Sequence, residues 1–528
     1  MKQITTDNFS FESLRGSDAL YVDKTWYVWK MVNEATRIYF LSRPRRFGKS
    51  LLISTLKAYF QGRKELFKGL VIERLAGDAW EEWPVIHLDM AQATSKAGLD
   101  EMKAVLVSYV SDVAADAGLP VDGDELPQDI FRRLIKHLYD RTGRPVVILI
   151  DEYDKPILDA LQERYREKVV DLMQDFYQVV KSNVAMERFV FITGVSEFSH
   201  TSLFSGMNNP TDITLDPAFA TMLGYTEDEF RENFAGYIDL ACEKLDMERE
   251  AFIAKMKDWY DGFRFTPDAA HVFNPVSVGK FFRYYRFDNY WYETGTPAFL
   301  VKQLKNNPFR LDEYTHDWIS PMEIKKFDAG DLDPMALAIQ TGYLTIADVM
   351  NDEFGEFFRY DFPNEEIRMS WYDDMLRLAS DHYMKLGGRR RVLYNAVKTG
   401  DVDTMMQCLQ YLFAGVTKEN VGEIHEGYYR NMLYMFFTAL GIDCHAEEQV
   451  AGGRIDIVLQ ALNVAYILEL KVSNTGSDND ISRLLKAGMD QAVMKGYAEK
   501  YKFEADKVHV VSVVFEGRHH QLVAWKDE

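Results

Sequence analysis

Up to about Asp216 the sequence predicts an α/β fold, a doubly wound layer built on a parallel sheet, and three observations predict it. Short apolar runs alternate with amphipathic stretches of helical period, the pattern that strand–helix–strand units produce. The run Ile38-Tyr39-Phe40-Leu41 passes through Ser42-Arg43-Pro44-Arg45-Arg46-Phe47-Gly48-Lys49-Ser50 into the helix formers Leu51-Leu52-Ile53-Ser54-Thr55-Leu56. A second run, Pro145-Val146-Val147-Ile148-Leu149-Ile150, is apolar throughout, as strands buried on both faces are, and it ends on Asp151 and Glu152.

Strand, loop and helix around Gly48 have the layout of a phosphate-binding loop. The pattern G-x-x-x-x-G-K-[ST] is met at Gly48, Lys49 and Ser50, with Arg43 in place of the first glycine. Backbone N–H groups at the helix start, helped by the helix dipole, suit phosphate oxygens. Lys49 would reach the β- and γ-phosphates of ATP and the Ser50 hydroxyl would bind Mg²⁺; Arg46, Phe47 and Leu51 complete the expected nucleotide-binding residues. A Gly-Lys-Ser at a helix start is also met as a plain cap, so the loop alone does not decide.

The acidic strand adds weight. Carboxylates at the carboxyl end of a buried parallel strand lie at the crevice where open α/β sheets bind ligands. There Asp151 would hold the magnesium, and Glu152 would orient or deprotonate the attacking water. Pro84-Val85-Ile86-His87-Leu88-Asp89 reads as a further strand, and so does Arg188-Phe189-Val190-Phe191-Ile192-Thr193-Gly194. Thr193 would sense the γ-phosphate, or would serve only local backbone groups.

Composition bounds the rest. A chain of 528 residues, 47% hydrophobic and 14% aromatic, is ample for packed cores and too long for one. There is no leading basic and apolar segment, and no apolar stretch approaches the ~20 residues that cross a bilayer, so a cytoplasmic protein with no membrane partner is expected. Cys242, Cys408 and Cys444 are far apart, without metal-ligand or disulfide spacing, and His425 and His445 read as surface or core residues. A formal net charge of −21 argues against a surface coated for nonspecific nucleic-acid binding, while leaving room for a local basic groove.

From Gly224 the character turns helical: Thr226 followed by Glu229 is a capping box, and Phe230, Phe234 and Ile238 recur at helical spacing. Trp259-Tyr260-Asp261-Gly262-Phe263-Arg264-Phe265 reads as core, with Arg264 a candidate for a nucleotide phosphate. Further on, Gln340 to Ile346 and Phe357 to Pro363 read as a β-hairpin, and Gly387-Gly388 and Lys398 to Asp401 as punctuation before the last domain.

The C-terminal signal is Arg454-Ile455-Asp456-Ile457-Val458-Leu459-Gln460, a short break, and Val464-Ala465-Tyr466-Ile467-Leu468-Glu469-Leu470-Lys471-Val472. If the turn is centred between Leu462 and Asn463, Asp456 faces Glu469 and Arg454 faces Lys471. Cross-strand partners have Cβ atoms only ~5 Å apart, so one face carries all four polar residues and the other is a core of Ile455, Ile457, Leu468 and Leu470. Two opposed carboxylates repel unless a cation lies between them, and Mg²⁺ with its preference for hard oxygens would answer that. Lys471 would hold the attacking water or offset charge on a scissile phosphate. The alternative is a surface hairpin laced by Asp456–Lys471 and Arg454–Glu469 ion pairs.

At these residues the chain resembles a known family. YVDKT (Tyr21 to Thr25), RPRRFGKSL (Arg43 to Leu51), IDEYDKP (Ile150 to Pro156), ITGVSEFS (Ile192 to Ser199), NNPTDIT (Asn208 to Thr214), WYDGFRF (Trp259 to Phe265), NPVSV (Asn274 to Val278) and TGTPAFLV (Thr294 to Val301) look like the AAA-ATPase-like family, whose bacterial members carry a C-terminal PD-(D/E)XK nuclease-like domain. RPRRFGKS is itself the form of the loop typical of that family. The resemblance implies a P-loop NTPase-like domain over residues 1–216, a helical lid over 217–331, a mixed connecting region over 332–415 and a restriction-endonuclease-like α/β domain over 416–528. It also implies Glu426 as an extra acidic residue and Gln491 as a glutamine near the active site. Asp456, Glu469 and Leu470 would be the metal residues of that site, as Ser50 and Asp151 would be at the loop. The expected activity is ATP binding or hydrolysis coupled to Mg²⁺-dependent hydrolysis of nucleic acid, with DNA the first case. The alternative is a nucleotide-gated ATPase whose C-terminal domain recognises nucleic acid or protein without cutting. Assembly of several copies is left open.

Overall fold

Five parallel strands form the first sheet: β1 (Ile38–Ser42), β2 (Val85–Asp89), β3 (Val146–Asp151), β4 (Glu187–Gly194) and the short β5 (Thr211–Asp212), in the order β2-β3-β4-β1-β5. The computed structural model describes residues 1–6, 10–78, 80–121, 125–161, 163–196, 210–291, 318–320, 334–353, 355–379, 383, 389–415, 426–450 and 453–528. TGTPAFLV, His425, Gly387-Gly388 and the first residues of NNPTDIT lie outside them. β3 is buried along its whole length, as its unbroken apolar run requires. Parallel register puts Leu41 beside Thr193 and Asp89 beside Asp151, so the carboxyl ends of all the long strands share one edge.

The chain divides into two compact units, Met1–Glu366 and Ile367–Glu528. In the first unit a helical layer follows the sheet. Its Glu227–Asn233 helix is started by the expected box, in which the Thr226 hydroxyl accepts from Glu229 N–H and the Glu229 carboxylate accepts from Thr226 N–H. Phe230, Phe234, Ile238, Phe252, Met256, Phe273 and Phe281 make its core, which Val22 of the N-terminal segment joins. Lys24 explains the rest of that segment: its ammonium donates to Glu229 Oε2 at 2.6 Å and to the Thr221 carbonyl at 2.8 Å, tying YVDKT to the helical layer.

The middle hairpin is real but displaced. Pro334–Thr341 is helix, and the hairpin is β6 (Thr345–Asp352) with β7 (Gly355–Asp361). The cause is local, because Met335-Ala336-Leu337-Ala338 are strong helix formers that carry Gln340 and Thr341 into the last turn.

The second unit is built on a mixed sheet of β8 (Asp443–Val450), β9 (Gly453–Ala461), β10 (Val464–Ser473), β11 (Lys507–Glu516) and β12 (Gln521–Asp527), in the order β12-β11-β10-β9-β8. β10 and β11 run parallel and the other neighbours antiparallel. Val464 pairs with Ala461 and Leu468 with Ile457, the register expected for a turn between Leu462 and Asn463. One expectation is corrected. Ile457, Leu468 and Leu470 pack into the large core with the Val402–Phe413 and Glu426–Ala439 helices, but Ile455 packs with Val458, Ala465 and Ile467 on the other side. The described β9–β10 pairing stops at Ile457, and beyond it simple alternation no longer assigns faces.

Gly262 shows how tightly the WYDGFRF segment is held. Its φ is +97°, and a Cβ there would lie 1.8 Å from the Pro363 carbonyl oxygen. Gly262→Ala should destabilise the first unit by about 3 kcal/mol, from left-handed strain plus overpacking. Thermal unfolding should show a midpoint lowered by several degrees, and an unchanged midpoint would contradict the packing described.

Candidate functional site

The first site lies at the carboxyl edge of the parallel sheet. Gly48 (φ +99°) precedes the Lys49–Phe60 helix, and Arg46 is also left-handed (φ +70°), the alternation of backbone hands that builds anion-binding concavities. Lys49 is buried, and its ammonium donates to the carbonyls of Arg43 and Pro44, each at 2.9 Å. Arg43, where the usual glycine is missing, has a structural role: it is buried, donates to the carbonyls of Ser42 and Thr214, and stacks over Phe265 at 4.1 Å. Phe47 is likewise turned away from solvent, with its ring set edge-on to Phe263 at 4.7 Å and Phe265 at 5.4 Å.

Ser50 lies within hydrogen-bonding reach of Asp151, and both acids act electrostatically on Lys49. Burial brings Lys49 down to about 8, while Asp151, Glu152 and Asp154 hold it up. Burial raises both Asp151 and Glu152, and Lys49 opposes it in each case. Glu152 has φ +48°, unusual for a side chain of its size, and its N–H is bound by Asp151 Oδ1 at 2.9 Å. Thr193 is fully buried and its hydroxyl donates to the Leu41 carbonyl at 2.8 Å, so its proton is committed to the backbone. Arg264 donates through its backbone N–H to Thr345 Oγ1.

Two features here were not foreseen. Asp154 is buried and its Oδ2 accepts from Val195 N–H, Ser196 N–H and Ser196 Oγ, fixing the end of β4 against β3. Next to the loop, an open cavity of about 120 Å³ is lined by Tyr21 and Val22, by Gly48, Leu51 and Thr55, and by Leu223 and Tyr225. The apolar residues of YVDKT were its only sequence signal, and they have no meaning until the N-terminal segment is seen beside the loop helix.

The second site lies on the mixed sheet. Asp456 Oδ2 accepts the Leu470 N–H at 2.9 Å, which holds β9 to β10 by a side chain where the described backbone pairing has ended. Glu469 is 1% exposed; its Oε2 is 3.4 Å from the Lys471 ammonium, and its Oε1 has no hydrogen-bond partner among the described residues. Lys471 also donates to the Leu470 carbonyl at 2.9 Å. Burial, then the Asp456 charge, pushes Glu469 up to about 7 against the pull of Lys471. Glu426, largely solvent-accessible, opens the Glu426–Ala439 helix; partial desolvation raises its carboxyl, Asp456 adds to this and Lys471 opposes it. Gln491 is half-buried on the Asp478–Met494 helix, and the exposed Lys495 just beyond feels both Glu469 and Asp456.

The ion pairs that the described residues form at this site are not the diagonal ones of the surface-hairpin alternative. Arg430 reaches Glu447 at 2.9 Å and Asp456 at 3.7 Å, and Arg454 reaches Glu447 at 3.5 Å. Neither Arg430 nor Glu447 was expected at the site. Among the described residues no three His, Cys, Asp or Glu side chains form a metal-ligand set by themselves. Asp456, Glu469 and the Leu470 carbonyl nevertheless fit Mg²⁺, which keeps several waters and needs only one or two carboxylates; the unpartnered Glu469 oxygen and the ammonium on the Leu470 carbonyl both mark a place that calls for positive charge.

A parallel sheet carrying a Gly-Lys-Ser loop, joined to a mixed sheet carrying D…E-x-K, defines a chain with an ATPase-like and a nuclease-like part. The family described as "Predicted AAA-ATPase" matches residues 5–204, and the PD-(D/E)XK nuclease superfamily matches residues 424–525. An uncharacterized protein in the vnfD 5′ region of Azotobacter chroococcum mcd 1 is 32% identical over 519 residues, 96% of this chain and 95% of that protein. The chain belongs to the AAA-ATPase-like family with a C-terminal PD-(D/E)XK nuclease superfamily domain. Solved structures with some likeness include the Aeropyrum pernix ORC1 protein in complex with DNA (9% identity, 69% of this chain and 92% of that one, TM-score 0.25) and Drosophila ORC bound to GC-rich DNA and Cdc6 (10%, 82% and 62%, TM-score 0.23). No helix among the described residues is long and apolar enough to cross a membrane.

A phosphate anion beside Lys49 favours its charged form, so the free chain at about 8 must take up a proton to bind above that pH. ATP affinity should be level below pH 7 and fall by about tenfold per unit above pH 8. Calorimetric titration at pH 7 and pH 9 checks this; Lys49→Ala should bind weakly at both, and a wild-type affinity independent of pH would contradict the desolvated lysine.

Proposed function

We propose that the chain binds ATP at the Gly48-Lys49-Ser50 loop and hydrolyses nucleic-acid phosphodiester bonds at Asp456, Glu469 and Lys471, with nucleotide state controlling the nuclease part. The nucleotide part takes residues 1–216, with 217–331 as its lid, and the nuclease part takes 416–528. At the loop, the phosphates would replace the Arg43 and Pro44 carbonyls as partners of the Lys49 ammonium. The nucleoside would enter the cavity beside Tyr21, Leu51 and Tyr225. Asp151 and Ser50 are the residues for Mg²⁺ there, and Glu152 is the group that orients water.

One observation carries the nuclease reading: a carboxylate withdrawn from water, Glu469, has one oxygen without a hydrogen-bond partner and stands beside a second acid and a lysine. A magnesium ion held by Asp456, Glu469 and the Leu470 carbonyl would lower the pKa of bound water and offset phosphate charge. Asp456 is held in register by the Leu470 N–H. The Lys471 ammonium, released from the Leu470 carbonyl, would stand against the charge that grows on the scissile phosphate. Glu426, whose carboxyl feels Asp456 and Lys471, and Gln491 of the Asp478–Met494 helix would position water or backbone phosphate.

The second reading, a nucleotide-gated binder that does not cut, is favoured by the same ammonium, since Lys471 already neutralises Glu469 without metal. Incubation of single- and double-stranded DNA and RNA with the chain, Mg²⁺ and ATP separates the two. Cleavage that falls by at least about a hundredfold in Asp456→Ala and in Lys471→Ala supports the nuclease. Binding without cleavage in the wild type supports the gated binder. Loss of ATP turnover in Lys49→Ala, with turnover in the wild type, establishes the ATPase.

A further inference from the structure

Three acids gather on the second sheet. Glu447 of β8 and Asp456 of β9 share the Arg430 guanidinium, and the Asp456 charge acts on Glu469 of β10. Like charges held near one another and partly withdrawn from water repel, and this arrangement stands only if positive charge lies among them. Lys471 serves Glu469. For the other two acids the group at hand is Arg430, which lies one helical turn beyond Glu426 and so projects from the same face of the Glu426–Ala439 helix.

Arg430 is shared unequally. Its guanidinium is 2.9 Å from Glu447 Oε1 and 3.7 Å from Asp456 Oδ1; the side chain is 21% exposed and its buried Nε has no hydrogen-bond partner among the described residues. A guanidinium has five N–H donors in a rigid fork, and this one is only partly engaged by the pair it bridges. Glu447 is held in place for this, with a left-handed backbone (φ +56°) inside an otherwise regular strand and a second contact from Arg454 at 3.5 Å.

We propose that Arg430 is the resident counter-ion of Asp456, a positioning residue that occupies the acid when no divalent cation is present, and that Glu447 is the group that carries Arg430 off it. This rests on the nuclease reading, because it makes Arg430 the competitor of the cation that reading requires. The sign of the effect is distinctive. Removing Arg430 removes a positive charge beside the cation's ligands and tightens cation binding. Removing the charge of Glu447 releases Arg430 onto Asp456 and weakens it. A residue that only supports the fold would weaken binding in either case.

The test is Mn²⁺ titration of the full chain by calorimetry, without nucleic acid. Arg430→Gln is expected to bind Mn²⁺ about tenfold more tightly than wild type, Arg430→Lys about as wild type, and Glu447→Gln about tenfold more weakly. In the Arg430→Gln background, Glu447→Gln should lose most of its effect, because the acid then has no guanidinium to hold. Arg430→Gln that is folded and binds no more tightly than wild type overturns the proposal. So does Glu447→Gln that is equally costly in both backgrounds, since Glu447 would then act on the cation itself. If Arg430→Gln does not fold, Arg430→Met takes its place: tighter Mn²⁺ binding than wild type supports the proposal, and unchanged or weaker binding overturns it. A wild-type chain that binds no Mn²⁺ removes the nuclease reading and this proposal together, whereas a wild type that binds with Arg430→Gln unchanged removes this proposal alone.

Discussion

Charge taken out of water is the constraint on which both sites depend. A desolvated ion costs several kcal/mol unless another charge or a polar backbone group answers it. Lys49 is answered by two carbonyls of its own loop and by the acids at the end of β3. Glu469 is answered on one oxygen only, by Lys471. The difference matters: the lysine is satisfied by groups that an incoming anion can displace, while the carboxylate keeps an oxygen that no described residue satisfies.

That constraint also explains the buried arginine in the loop. In a loop of the usual composition a small residue lets the backbone turn closely; here Arg43 turns inward, donates through one guanidinium nitrogen to the carbonyls of Ser42 and Thr214, and lies over Phe265. Phe47 enters the same aromatic group from the other end of the loop. The loop is therefore clamped at both ends to the segment Phe263-Arg264-Phe265, which Gly262 presses against Pro363. A change in the loop's conformation would have to move these rings, so the contacts tie the loop to the segment that follows the helical layer.

In the second unit, β9 and β10 are held beyond the last described backbone pair by the Asp456 carboxylate on the Leu470 N–H. A carboxylate used this way is fixed in direction, and it is drawn partly from solvent beside the guanidinium of Arg430.

Much of this was legible in the sequence. The loop, the buried strand ending on Asp151, the capping box at Thr226 and the hairpin register at Leu462-Asn463 each follow from local pattern, because strand and helix periods and turn positions are properties of neighbouring residues. The same local reasoning misplaced the hairpin after Gln340, where helix propensity in the preceding residues won. It also assigned Ile455 to the wrong core, because alternation fails where the described β9–β10 pairing ends. Arg430, Glu447 and Asp154 had no local signal of their roles, and the cavity beside Tyr21 had only the apolar residues of the N-terminal segment. They are brought to their sites by the packing of segments remote in the chain, and only tertiary structure decides which distant charges must answer one another once water is excluded.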